Sequence, residues 1–253
     1  MLFNNPLNYV NIITGFIAIA VSFLILVKDI KAFLNILFSS ALSFWGLSLL
    51  LNGLTFLYTE PTVGANLIRD FVTGTASVAA FLIFATAFSM FHGEHYLKKW
   101  YLFLPFIACV LVNTIVGSYF DSVVWDSEDG LPTTEGIKTT QEPWVMIFIY
   151  LIPTIVICFA IFFFIRTRKE VEDPLIKRRI LYFILGFTFI VAGVLTYALS
   201  GIYEQIFSQE SVTFEYIGWI VAEIYWIIGP VLMFVGFNIG KIGKRDREVG
   251  DIS

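Results

Sequence analysis

Seven stretches of predominantly apolar residues, roughly 9–27, 32–57, 67–91, 99–119, 144–165, 179–205 and 213–239, run through this 253-residue chain. A bilayer core about 30 Å thick takes about 20 such residues per helical crossing, and each stretch meets that length. Hydrocarbon offers no water to bond an exposed amide, so each stretch must satisfy its own backbone and is expected to be helical. The pattern predicts an all-α integral membrane bundle of seven transmembrane helices over residues 1–240, with a short tail at 241–253. Composition excludes the soluble alternative. Only 14% of residues are charged, against about 25% in an ordinary soluble domain, too few to cover a water-facing surface.

The basic residues set the orientation. Alternate linkers carry Lys28 and Lys31, then Lys98 and Lys99, then Arg166, Arg168, Lys169, Lys177, Arg178 and Arg179. The tail adds Lys241, Lys244, Arg245 and Arg247, so 14 of the 16 basic residues share one side, with only Arg69 and Lys138 elsewhere. The opposite linkers are acidic: Glu60, then Asp121, Asp126, Glu128, Asp129, Glu135 and Glu142, then Glu204, Glu210 and Glu215. Lys and Arg remain cytoplasmic, which predicts the N-terminus outside, the C-terminus inside and a multi-pass plasma-membrane protein. The linker 120–143, with Gly130, Pro132 and Gly136, is expected to be a turn-rich outer loop. Residues 1–8 contain no Lys or Arg, so the first stretch lacks the basic start of a signal peptide and is expected to be a retained span. Tyr9, Tyr58, Tyr119, Trp144 and Tyr203 mark outer span ends, and Tyr96 and Trp100 an inner one.

Small residues let helix backbones approach in lipid. The run Gly74 to Ala80 in the third span, and Gly186, Gly193 and the Ala192/Thr196/Ser200 series in the sixth, place these two spans inside the bundle. Pro105, Pro153 and Pro230 fall within spans four, five and seven as expected kinks. Cys109 and Cys158 lie in apolar runs and are expected as small core residues on neighbouring helices.

Glu223 is the one carboxylate deep in a span, seven residues past Tyr216, hence about 10 Å into the membrane. Such a group is expensive in lipid and normally faces the bundle interior. Tyr216, Trp219, Glu223, Trp226 and Pro230 share one helix face at spacings of three and four. With Tyr197 and Ser200 of span six they form a candidate ligand pocket of aromatic walls and one acid. The plainer alternative is that Glu223 only fixes helix packing while the tryptophans face lipid. Arg69 and Asp70 are a candidate outer gate ion pair, Arg69 being long enough to reach Glu223, or else a snorkelling interfacial pair. His92 and His95 flank Gly93-Glu94 as weak candidates for a metal, but they are the only two histidines and do not close a zinc site.

Other chemistries are excluded by residue type. The seventh span holds no lysine before Lys241, which rules out an opsin-like Schiff base there, and two histidines cannot make a three-histidine zinc hydrolase. No Gly-rich phosphate loop or nucleophile elbow occurs. The expectation is a non-enzyme without cofactor or nucleic-acid partner, whose basic cluster Lys177-Arg178-Arg179 meets lipid headgroups.

The order of features resembles the seven-transmembrane N-terminal sensor region of many archaeal and bacterial histidine kinases. The residues that carry the likeness are Ala41-Leu-Ser-Phe-Trp45-Gly-Leu in span two, Leu104-Pro105 opening span four, and Val112-Asn113-Thr114 near its end. They continue with Pro143-Trp144 closing the long loop, Tyr150, and the basic run Lys177-Arg178-Arg179 leading to Gly186. The likeness covers about residues 8–240. It implies an input module that passes a stimulus to cytoplasmic signalling domains. Residues up to Ser253 include no phospho-accepting domain, so kinase activity does not carry over and a separate cytoplasmic or membrane signalling partner is expected. Beside this sensory reading stand two others: a structural or accessory subunit, and a transporter or channel using Glu223.

Overall fold

Apolar runs that cannot bond their amides to water close on themselves, and the described residues form seven long helices. The computed structural model describes residues 6–28, 30–55, 57, 62–126, 136–141, 143–207 and 212–250, with side chains at 6–8, 97–98, 100, 102, 121–126, 136–141, 143, 146–147, 200–207, 212–216 and 240–250 left undescribed. The helices are α1 (Pro6–Lys28), α2 (Phe33–Thr55), α3 (Val63–His92), α4 (Leu104–Phe120), α5, α6 (Pro174–Phe207) and α7 (Val212–Gly250). α5 joins Pro143–Met146 to Ile152–Glu170 through a π turn at Ile147–Leu151. Among the described residues, six of these helices are long and apolar enough to cross a membrane, the build of a multi-pass membrane protein; α4 is shorter.

Helix ends have local causes. Thr62 caps α3 by accepting the Ala65 N–H at 3.1 Å. Gly93 ends it at φ 94°, donating its N–H to Ser89, in a conformation that only a residue without Cβ adopts freely. Two 3₁₀ turns, Glu94–Lys98 and Trp100–Phe103, then lead into α4. The α-helical part of the fourth apolar stretch thus begins at Leu104 rather than at 99, because the Pro105 ring would collide with the carbonyl of Tyr101 in a longer α-helix. Pro105 sits second in its α-helical segment, where the missing N–H has no intrahelical partner to lose, so the expectation of a mid-helix kink there is corrected. Pro153 lies inside α5, directly after its π turn. Pro230 does lie inside α7.

Around the bundle the packing order is α1, α2, α3, α5, α6 and α7, with α7 closing back on α1; α4 packs outside, on α3 beside the start of α5. The closest approaches are at glycines. A methyl group on Gly15 would stand 2.6 Å from the Gly46 carbonyl oxygen, and one on Gly186 2.8 Å from that of Gly229. α3 is the most enclosed helix, with 61% of its most apolar window buried against 28% for α6. The expectation of an interior third span holds. The small residues of α6 instead form a narrow stripe that seats α7, while its Leu185, Leu195 and Leu199 face outward.

Two further expectations change. Cys109 is half-buried and Cys158 exposed, both free, so Cys158 faces the apolar surroundings rather than a core. Loop 120–143 contains an antiparallel ribbon, β1 (Asp121–Asp126) with β2 (Gly136–Gln141), paired from Asp121↔Gln141 to Asp126↔Gly136. Val123, Val124, Trp125, Thr139 and Thr140 are residue types that favour strands, a preference masked in the sequence by the turn residues between them. Finally, Lys28 reaches the far end of α7, donating to the Phe237 carbonyl at 2.8 Å and lying 3.9 Å from its ring centroid.

Candidate functional site

The face of α7 predicted from its spacing points into the bundle. Trp226 is 7% and Glu223 5% exposed, so the alternative in which the tryptophans simply face lipid does not hold for Trp226. Tyr197 of α6 stacks on Trp219 at 5.9 Å between ring centroids, with 21° between planes, and meets Trp226 at 6.0 Å. Tyr150, on the π turn of α5, meets Tyr197 at 5.7 Å. From the other side Trp45 of α2 makes an edge contact with Trp226 at 6.0 Å and 80°. Five rings from four helices therefore join in one chain across the bundle.

Gly193 makes this possible. A methyl group there would stand 2.5 Å from Trp226 Nε1 and 3.1 Å from the Ala222 carbonyl oxygen, so glycine leaves the slot that the indole occupies. Pro230 adds to the local polarity, since it cannot donate to the carbonyl of Trp226 four residues earlier.

Polar atoms accumulate at this level without protein partners. Glu223 Oε2, Trp226 Nε1 and Trp45 Nε1 are all buried with no hydrogen bond, and so are Asn11 Oδ1 and Thr14 Oγ1 on α1. Their heights agree. Gly15 packs on Gly46, next to Trp45, and Trp45 meets Trp226. At 1.5 Å per residue, Thr14, Asn11 and Glu223 lie within about 6 Å of that level, toward the end of the bundle where α1 begins. Among the described residues, six of eight such orphan atoms belong to these three neighbouring helices, five of them at this level and the sixth, Ser39 Oγ, farther along α2. Each buried donor or acceptor left unpaired costs about 1–3 kcal/mol. Buried polar atoms are normally bonded, so this level departs from the rule that governs a packed interior.

The remaining predicted residues fall as follows. Tyr216 and Ser200 lie on α7 and α6, but their side chains are outside the described residues. Arg69 is buried at 5% exposure and its Nη1 donates to Asn52 Oδ1 of α2 at 2.8 Å. Oε2 of Glu223 has no partner, so Arg69 is not seated on it; the guanidinium instead ties α3 to α2. Asp70 is half-buried beside it in sequence. His92 packs among Phe88, Phe91, Tyr96 and Phe163, while His95 is exposed, and among the described residues no three His, Cys, Asp or Glu side chains gather as a metal site would require.

Sequence reasoning missed Trp45, Asn11, Thr14 and Tyr150. Asn11 and Thr14 carry a signal, being polar residues three apart within an apolar run; Trp45 and Tyr150 carry none, since nothing in a single sequence says which way α2 and α5 are turned. No protein-family model matches the chain, and no curated protein matches it.

Proposed function

We propose that this chain is a seven-span membrane protein, N-terminus outside and C-terminus in the cytoplasm, acting as a sensory input module for a separate cytoplasmic partner. The observation that carries the sensory reading is the buried Glu223 carboxyl, unpartnered at Oε2 and set among aromatic rings at the middle of the bundle. An acid kept only for packing would be bonded to a neighbour. A site shared by α1, α2, α6 and α7 can bias their relative positions, and the proline in α7 is one place where such a shift is absorbed. The segregation of basic residues supports the orientation. α4 with its preceding 3₁₀ turn reaches about 33 Å, long enough to serve as the seventh crossing.

Tagged protein extracted from its own host's membranes is expected to retain a cytoplasmic signalling protein. Glu223→Gln is expected to leave that complex intact while abolishing its change of output on stimulation. Recovery of no signalling partner, or an unaltered output from Glu223→Gln, defeats the input-module reading. Labelling of both chain ends from the same side of intact cells defeats the orientation.

A further inference from the structure

Glu223, Trp219, Trp226, Tyr197, Trp45 and the two polar residues of α1 also limit what kind of molecule can satisfy them. We propose that this site binds a small organic ammonium ion that carries an oxygen acceptor, a proposal that deepens the input-module reading by naming its ligand class. Three observations converge on it. First, aromatic residues flank the carboxyl along α7: Trp219 lies four residues before Glu223 and Trp226 three after, and both meet Tyr197. A cation between such faces is attracted by their quadrupoles, most strongly by tryptophan. Second, the unpartnered atoms are of both kinds. Glu223 Oε2 and Asn11 Oδ1 take a cation or a donor, whereas the Nε1–H groups of Trp45 and Trp226 need an acceptor. A simple metal ion or alkyl cation satisfies only the first set. A hydroxyl or carbonyl oxygen on the same molecule satisfies the second.

Third, the charge at the approach has the matching sign. In the sequence, the linkers and span ends on the side opposite the basic cluster carry Glu60, Asp121, Asp126, Glu128, Asp129, Glu135, Glu142, Glu204, Glu210 and Glu215 against Arg69 and Lys138. A field of one sign around a low-dielectric entrance raises the local concentration of the opposite ion. It disfavours an anion or a ligand of net negative charge. An ammonium group can come from a free amine or from the headgroup of a lipid, and the chemistry of recognition is the same for both.

The test uses the full chain, purified into nanodiscs of phosphatidylglycerol, which has no ammonium group. Choline is titrated by calorimetry and by tryptophan emission, beside 3,3-dimethylbutanol, which has the same shape without the charge. Choline is expected to saturate and the neutral isostere to give no saturable response. Glu223→Gln should weaken choline about tenfold or more, as loss of a buried charged partner does, and Trp219→Phe about threefold, since phenylalanine keeps a ring but holds a cation less well. Replacing half of the lipid by phosphatidylethanolamine separates the sources: loss of the choline response assigns the site to a headgroup, and an unchanged response to a free amine. Failure of choline to saturate in phosphatidylglycerol discs, or an equal response to the isostere, overturns the proposal. So does unchanged affinity in both variants. If Glu223→Gln does not fold, the isostere and Trp219→Phe still decide. Binding is measured without any partner, so it stands or falls separately from the signalling reading.

Discussion

Two aromatic clusters occupy this bundle, and they are built on opposite principles. Toward the end where α3 finishes, Phe81, Phe84 and Phe88 of α3 pack with Phe103 of the 3₁₀ turn, Phe106 of α4 and Phe163 of α5, the closest pair being Phe84 and Phe106 at 4.0 Å. These six rings bring no donor or acceptor that needs a partner; His92 and Tyr96 only border them at Phe88 and Phe163. Toward the other end the rings are Trp and Tyr, joined by Glu223, and several of their polar atoms are unbonded. The first arrangement extracts packing energy from shape alone. The second gives some of that energy up. Stability should therefore depend on the phenylalanine cluster, and function on the tryptophan cluster.

The largest effect expected is on Phe84→Ala. Phe84 is 4% exposed and touches four other rings, and truncation of a buried Phe costs about 3–5 kcal/mol. Equilibrium unfolding in mixed detergent micelles should show that loss, while protein that remains folded should respond to choline as the parent does. A choline response that disappears together with the phenylalanine would merge the two clusters into one unit and break the comparison.

Gly193→Ala should come next, at about 1–3 kcal/mol for overpacking a tight contact. Its methyl group would collide with Trp226 Nε1 and close on the Ala222 carbonyl, so the indole must turn or α6 and α7 must separate. The expected signature is a loss of stability together with an altered tryptophan emission, a pair that Phe84→Ala should not produce. Unchanged emission would mean that Trp226 is not held as tightly as its slot implies.

Glu223→Met is expected to move stability the other way, by about 1–2 kcal/mol, because an apolar side chain of similar volume removes a buried acceptor left without a bond. The same substitution should abolish choline binding. Gain of stability with loss of function is the usual mark of a site rather than of a packing residue. A Glu223→Met protein that unfolds more easily would move Glu223 into the structural class and remove the contrast between the clusters.

How far these regions could be read from the sequence follows from what helical periodicity encodes. Trp219, Glu223 and Trp226 were legible as one face because spacings of three and four lie within a single helix. Tyr197 was legible because its depth in α6 matched. Trp45 was not, since its arrival depends on the rotation of α2 fixed by Gly15 against Gly46, a property of two helices together. Proline misled at Pro105 because composition marks an apolar stretch but not where inside it the α-helix begins. Among the described residues, six of the apolar stretches coincide with helices long and apolar enough to cross a membrane and the fourth is shorter, since bilayer thickness acts on each stretch separately. Arg69 was judged by its charge and reach; its actual partner, Asn52, is a neutral amide on the adjacent helix.

The smallest effect concerns α4, which belongs to neither cluster's centre. It touches α3 through Gly117 against Thr73, Gly74 against Thr114, and a buried hydrogen bond from Asn113 Nδ2 to Ser77 Oγ at 2.6 Å. In water-poor surroundings such a bond looks decisive, yet side-chain bonds between membrane helices average about 0.6 kcal/mol, because the separated helices also find partners in lipid. A double-mutant cycle of Asn113→Ala and Ser77→Ala is therefore expected to give a coupling of about 0.6 kcal/mol in the unfolding experiment, well below the cost of Phe84→Ala. The Oδ1 atom of Asn113 has no partner, which lowers the expected cost of Asn113→Ala alone. A coupling above about 2 kcal/mol, beyond the measured range for such bonds, would show that α4 is held by its polar contact rather than by the phenylalanines at its base. The division of labour between shape and polarity would then have to be redrawn for this side of the bundle.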